Sequence, residues 1–263
     1  MLKKLMKYEL KATARTFLPL FAVLILFSVI NKLFFLINPN DFTIPQGLSM
    51  TVYFITLVGI GVATLLITVQ RFYKNLLGDE GYLMFTLPVE PWQLVLSKLL
   101  ISGFWCIASA VAALISIFVM MLGMNDLKLL AEAIAGAANN MRMALGTSPV
   151  PVFIELALLG LLAVASWILV VYLSVALGHQ VHKNKLLASF GAFLVVTTIV
   201  QAVTSFVLWL LVQGDVFSKV LHHLSNAQIM HLGLCGVIAA ELVLGGICFA
   251  LTEKLLRSRL NLE

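Results

Sequence analysis

Charge is what this sequence has least of. Only 11% of its 263 residues are Asp, Glu, Lys or Arg, against about 25% in soluble domains. A folded domain of this size still leaves about a quarter of its chain's surface in water, and there is too little polar material here to cover that surface. An independent soluble domain is therefore excluded. Cysteine is scarce too. Cys106, Cys235 and Cys248 are three in number, and each sits in an apolar run, so neither a disulfide framework nor a metal-ligand spacing is expected. No glycine-rich phosphate loop of the form G-x-x-x-x-G-K-[ST] occurs, and Gly-Lys never appears as a pair; the chain cannot by itself cradle a nucleotide's phosphates. There is no H-E-x-x-H, no G-x-S-x-G and no pair of intramembrane aspartates, so an enzyme is not expected. Nor is a cleavable leader, because the first apolar run is too long and no small-residue cleavage site follows it.

What the sequence has is hydrophobicity: 61% of residues are apolar and the mean hydropathy is +1.05. A transmembrane helix needs about 20 mostly apolar residues. Six runs meet that length: Phe17 to Ile37, Met50 to Gln70, Val95 to Gly123, Pro151 to Gly178, Leu186 to Val212 and His231 to Thr252. The expectation is an all-α polytopic membrane fold of six spans, forming a single domain over residues 1–263.

Lys and Arg are unevenly shared between alternate loops. Thirteen of the seventeen fall in the N-terminal segment, the loop after the second span, the turn at Lys183 and Lys185, and the C-terminal tail. The other four are Lys32, Lys128, Arg142 and Lys219. By the positive-inside rule both termini and the loop at 71–98 face the cytoplasm. The net charge of +5 is read as headgroup contact with membrane lipids, not as nucleic-acid binding, since no basic stripe with interleaved aromatics is present. Residues 1–16 place Leu2, Leu5, Met6 and Leu10 on one helical face and lysines on the other, which reads as an interfacial amphipathic helix. Two outer segments, Asp126 to Gly146 and Asp215 to Met230, have helical periods and read as short surface helices.

The most informative stretch is the loop from Arg71 to Leu100. A plain connector is polar, but this one holds Tyr73, Leu76, Tyr82, Leu83, Phe85 and Trp92. Gly78 and Gly81 bracket the acidic pair Asp79 and Glu80, and Pro88 and Pro91 break the element that follows. Exposed apolar groups of this kind mark either a docking platform or an anchor in the headgroups. The block GDEGYLMFTLPVEPWQLVLSKLL, with the ending KLLRSRLNLE, resembles type-2 ATP-binding-cassette exporter permeases of Gram-positive, Clostridia-like bacteria. The matching residues are Gly78, Asp79, Glu80, Gly81, Tyr82, Leu83, Thr86, Leu87, Pro88, Ser97 and Lys98. The resemblance implies a coupling segment, carried by Gly78, Asp79, Glu80, Gly81, Tyr82, Leu83, Phe85 and Pro88, that contacts a separate ATPase subunit. It also implies a second permease copy, in a homodimer or a heterodimer, with ATP and magnesium held on the partner and no cofactor in this chain. The location implied is the bacterial cell membrane. The cargo is left open. A membrane sensor or scaffold without transport, and a passive channel, are the alternatives.

Polar residues within the runs are the remaining candidates. Glu241 lies mid-span, where a charge is costly; it lines a cargo path or bonds to a neighbouring helix. Gln201 and Thr204, with Thr197, Thr198 and Ser205, mark either a polar pathway or close helix packing. Glu155 is placed at the outer interface. The histidine pairs His179 and His182, and His222 and His223, with His231, do not have the converging spacing of a metal site.

Overall fold

The computed structural model describes residues 2–37, 44–77, 90–121, 124–146, 148–181, 184–213 and 224–258. All the regular structure among them is helical: α1 (Leu2–Ile37), α2 (Ile44–Phe72) running into a π-helical turn (Tyr73–Leu77), α3 (Pro91–Met121), α4 (Met124–Leu145), α5 (Val150–Gly178), α6 (Lys185–Gln213) and α7 (Asn226–Ser258). Every one except α4 contains a stretch long and apolar enough to cross a membrane, as expected for six spans. Contacts divide the chain into two units, Met1–Arg71 with Leu96–Ile134, and Phe72–Val95 with Ala135–Glu263.

In the first unit, α1 is one unbroken helix of 36 residues, about 54 Å at 1.5 Å per residue, against about 30 Å of hydrocarbon. Residues 2–16 are helical as expected, but they continue directly into the span and do not form an element of their own. Of the hydrophobic face read from sequence, Leu2, Leu5 and Met6 are half-buried, with Met6 against the Phe17 cluster, but the best-packed residues here are polar. Glu9 and Thr13 are buried, while Leu10 is exposed. The reason lies on α3, which offers polar partners at these heights. Lys98 pairs with Glu9, and the Trp105 Nε1 donates to Thr13 Oγ1 at 2.7 Å. Phe17 stacks on Trp105 with centroids 4.5 Å apart, and Ile101 completes the cluster. Residues 9, 13 and 17 thus climb α1 as 98 to 105 climb α3, so the two helices run parallel.

α2 runs antiparallel to both. Ser49 Oγ donates to Asn31 Oδ1 at 2.9 Å, and Gln46 Nε2 donates to the Phe34 carbonyl at 2.9 Å. Further along, facing α3, Tyr53 shares a 2.9 Å hydrogen bond with Ser116, and Thr64 a 2.8 Å bond with Ser109. Leu24, Tyr53 and Ile60 pack between these layers. Interhelical hydrogen bonds inside a membrane contribute about 0.6 kcal/mol each on average. Their larger effect is on register, because a slip of one turn leaves several polar groups unpaired at once.

In the second unit, α5 packs along both α6 and α7. Its C-terminal part is buried almost throughout from Ile168 to Gly178. The turn into α6 is tight: a side chain at Gly178 would drive into the backbone of Ser189, and Asn184 adopts φ +56° just before α6 starts. α5 and α7 run parallel. Glu155 pairs with His231 near their starts, and the Ser166 hydroxyl donates to the Glu241 carbonyl at 3.1 Å further along. Gly245 admits Ser166 and Leu169 against the α7 backbone.

α4 realises the helix read at Asp126 to Gly146. It ends where Gly146, at φ +68°, folds its N–H back onto the Arg142 carbonyl, the left-handed stop that glycine allows. Of the helix read at Asp215 to Met230, residues 214–223 lie outside the described residues, and Leu224 and Ser225 are not helical. Ser225 and Gln228 form a reciprocal capping box, with Ser225 N–H to Gln228 Oε1 at 2.9 Å and Gln228 N–H to Ser225 Oγ at 3.4 Å. Its last residues, from Asn226, are therefore the first turns of α7.

Candidate functional site: the margins of the 78–88 segment and the intramembrane polar residues

Gly78, Asp79, Glu80, Gly81, Tyr82, Leu83, Phe85 and Pro88, together with Thr86 and Leu87, lie outside the described residues. Both margins of the segment are described. On the near side α2 loosens into the π turn, a form of helix often found at functional positions. Phe72 and Leu76 are fully buried. Phe72 stacks on Tyr172 of α5 with centroids 3.9 Å apart and planes 11° from parallel, and Tyr73 meets the His179 ring edge-on at 5.0 Å. The backbone entering the segment is therefore fastened to the buried C-terminal part of α5.

On the far side α3 begins at Pro91. Proline suits a first helical position, where no intrahelical N–H bond is lost. The Glu90 carboxylate accepts from the Trp92 indole N–H, and the Glu90 carbonyl accepts from Gln93 N–H at 2.9 Å. Ser97 and Lys98 are buried, so neither lies on an open docking surface. Lys98 is occupied by Glu9, in a small cavity lined also by Thr13, Thr68, Arg71 and Ser102.

The intramembrane candidates divide. Glu241 is half-buried on α7, and its Oε2 is buried with no hydrogen-bond partner among the described residues. Gln201 and Thr204 are exposed on α6, and the Thr204 hydroxyl donates to its own helix at the Val200 carbonyl, 2.8 Å away. Thr197 and Thr198 bond back to their own helix in the same way, the usual resting place of hydroxyls on a helix. Glu155, placed at the outer interface by sequence, is held by His231, whose Nδ1 lies 2.8 and 2.9 Å from its two carboxylate oxygens. Among the described residues no group of three or more His, Cys, Asp or Glu side chains converges as a metal site would require.

Scans against protein-family models, curated proteins and solved structures return no match to this chain. The functional reading accordingly rests on the residues themselves.

Features missed from sequence include the Glu9–Lys98 pair, the Thr13–Trp105 bond, the Phe72–Tyr172 stack and the Ser225 capping box. Only the last had a legible signal, Ser-Asn-Ala-Gln just ahead of an apolar run. The others join residues 89, 92 and 100 positions apart, a separation at which local patterning carries no information.

Proposed function

We propose that this chain is the membrane permease subunit of an ATP-driven exporter of the ATP-binding-cassette type. Six apolar helices form the pathway half, and the segment at 78–88 docks on a separate ATPase subunit. A second permease copy completes the pathway in a bacterial cell membrane, with both termini in the cytoplasm. The observation that carries the reading is a combination. The chain is membrane-embedded almost throughout and has no phosphate loop. It nevertheless spends one long inner loop on glycines, an acidic pair and aromatics that resemble a coupling segment.

The described margins support it. A segment that passes force must be held at both ends, and here Phe72 and Leu76 are packed on one side and Lys98 on the other. Closure of the ATPase pair, with ATP and magnesium held there, would displace the segment. The helices fastened to it would follow as rigid bodies, the type of transition that packed helices permit.

Co-expression with the ATPase encoded in the neighbouring reading frame tests this. The tagged chain is expected to bring the ATPase through purification at a fixed ratio. Elution without an ATPase, or with a kinase or regulator instead, overturns the proposal in favour of a sensor or scaffold.

A further inference from the structure

Glu9 and Lys98 are both buried, and stability alone does not account for them. Replacing a buried ion pair with apolar residues of similar volume is often neutral or stabilising, and the best-attested use of such a pair is to fix register. The surroundings fit that use. Glu9 and Thr13 sit one turn apart on α1, and Lys98, Ser102 and Trp105 follow one another on α3. If α1 slipped by one turn, Lys98 would face Leu5 or Thr13, and Glu9 would face Leu94 or Ser102. No opposite charge waits at any of those positions. Among the described residues Glu9 is the carboxylate lining a cavity that also holds Lys98 and Arg71.

Lys98 lies on the helix that leaves the 78–88 segment, and α3 is unbroken from Pro91 through Met121. Whatever moves the start of α3 moves Lys98. We infer that Glu9 and Lys98 are positioning residues that lock the register of α1 on α3, so that the N-terminal helix travels with the helix leaving the coupling segment. The carrying role rests on the permease reading; the register lock does not. The N-terminal helix is then a working part of the coupling machinery, and its first turns are held by α3.

The test has two arms, both on the full chain with Cys106, Cys235 and Cys248 replaced. In the first, spin labels at the exposed positions Tyr8 and Leu100 report the α1–α3 distance. The wild-type pair and the charge swap Glu9→Lys with Lys98→Glu should each give one narrow distance. The apolar pair Glu9→Met with Lys98→Met should keep the fold but show a broadened or second distance. If the apolar pair does not fold, Glu9→Gln, which keeps shape and removes charge, takes its place with the same expected outcome. In the second arm, permease-dependent ATP hydrolysis is measured with the neighbouring ATPase. The swap should stay within about twofold of wild type, and the apolar pair should fall by about tenfold while the ATPase still co-purifies. A wild-type distance and wild-type hydrolysis in the apolar variant overturn the inference, as does a folded swap that restores neither. Failure of the wild-type chain to recruit an ATPase overturns the permease reading and the carrying role, while the distance arm still decides the register lock.

Discussion

Replacing Phe72 with alanine removes one half of the stack that fastens the entrance of the 78–88 segment to α5. Phe72 is fully buried, as is its partner Tyr172, and the rings lie nearly parallel at 3.9 Å. Phe72 directly follows Arg71, at the end of the apolar run, so its alternative environment is the watery interface and burial there counts against water. Truncating a buried Phe to Ala costs about 3–5 kcal/mol in protein cores. The ring-on-ring geometry accounts for about 0.5–1.5 kcal/mol beyond burial. Phe72→Ala is therefore expected to cost about 3 kcal/mol, and Phe72→Leu, which keeps most of the volume, about 1 kcal/mol. A double-mutant cycle of Phe72→Leu with Tyr172→Leu isolates the stack and should return about 1 kcal/mol of coupling. The assay is equilibrium unfolding of the purified chain in mixed micelles. A Phe72→Ala loss below about 1 kcal/mol, or additive single substitutions in the cycle, would show that the segment's entrance is not held by α5.

Three further outcomes are expected. Gly178→Val should destabilise the chain by about 1–3 kcal/mol, because the added carbons meet the Ser189 backbone, which cannot rotate away as a side chain can; unchanged unfolding would mean that the α5–α6 turn is looser than described. Glu241→Met should leave stability equal or raise it by about 1 kcal/mol, since it removes a buried oxygen that has no partner among the described residues, and the Ser166 bond to the 241 carbonyl remains; a clear loss of stability would assign the carboxylate a structural partner. Cysteines placed at 183 or 257 should be inaccessible to an impermeant maleimide added outside intact cells, as the Lys and Arg bias requires, and labelling from outside would reverse the topology.

The number of spans was legible because length and apolar composition alone decide it, and the six runs reappear as parts of six helices. Their ends were less so. Nothing in the local pattern separates a 15-residue amphipathic stretch lying on a membrane from the first turns of a longer helix. What decides it for residues 2–16 is the pairing of Glu9 and Thr13 with α3, which involves residues some 90 positions away. Of the face read as apolar, Leu10 is exposed while Leu2, Leu5 and Met6 are half-buried beside the buried Glu9. Hydroxyls on the spans were ambiguous for a similar reason. Thr64 and Ser109 pair across helices, whereas Thr198 and Thr204, among the described residues, bond back to their own helix, and the residue types are alike in both cases. Glu241 stood out because a mid-span acid is rare, while the Glu155–His231 pair did not, because each residue alone reads as interfacial.

The central claim, that 78–88 couples this chain to an ATPase, is tested most directly by permease-dependent ATP hydrolysis in three variants. Tyr82→Ala and Leu83→Ala remove apolar anchors, which at interfaces are worth about 1–3 kcal/mol each, and Glu80→Lys reverses a charge. All three should insert in the membrane normally, since the spans are untouched, and all three should lose ATPase co-purification or the hydrolysis that depends on it. Wild-type assembly and hydrolysis in all three would contradict the coupling role and leave the segment as a headgroup anchor.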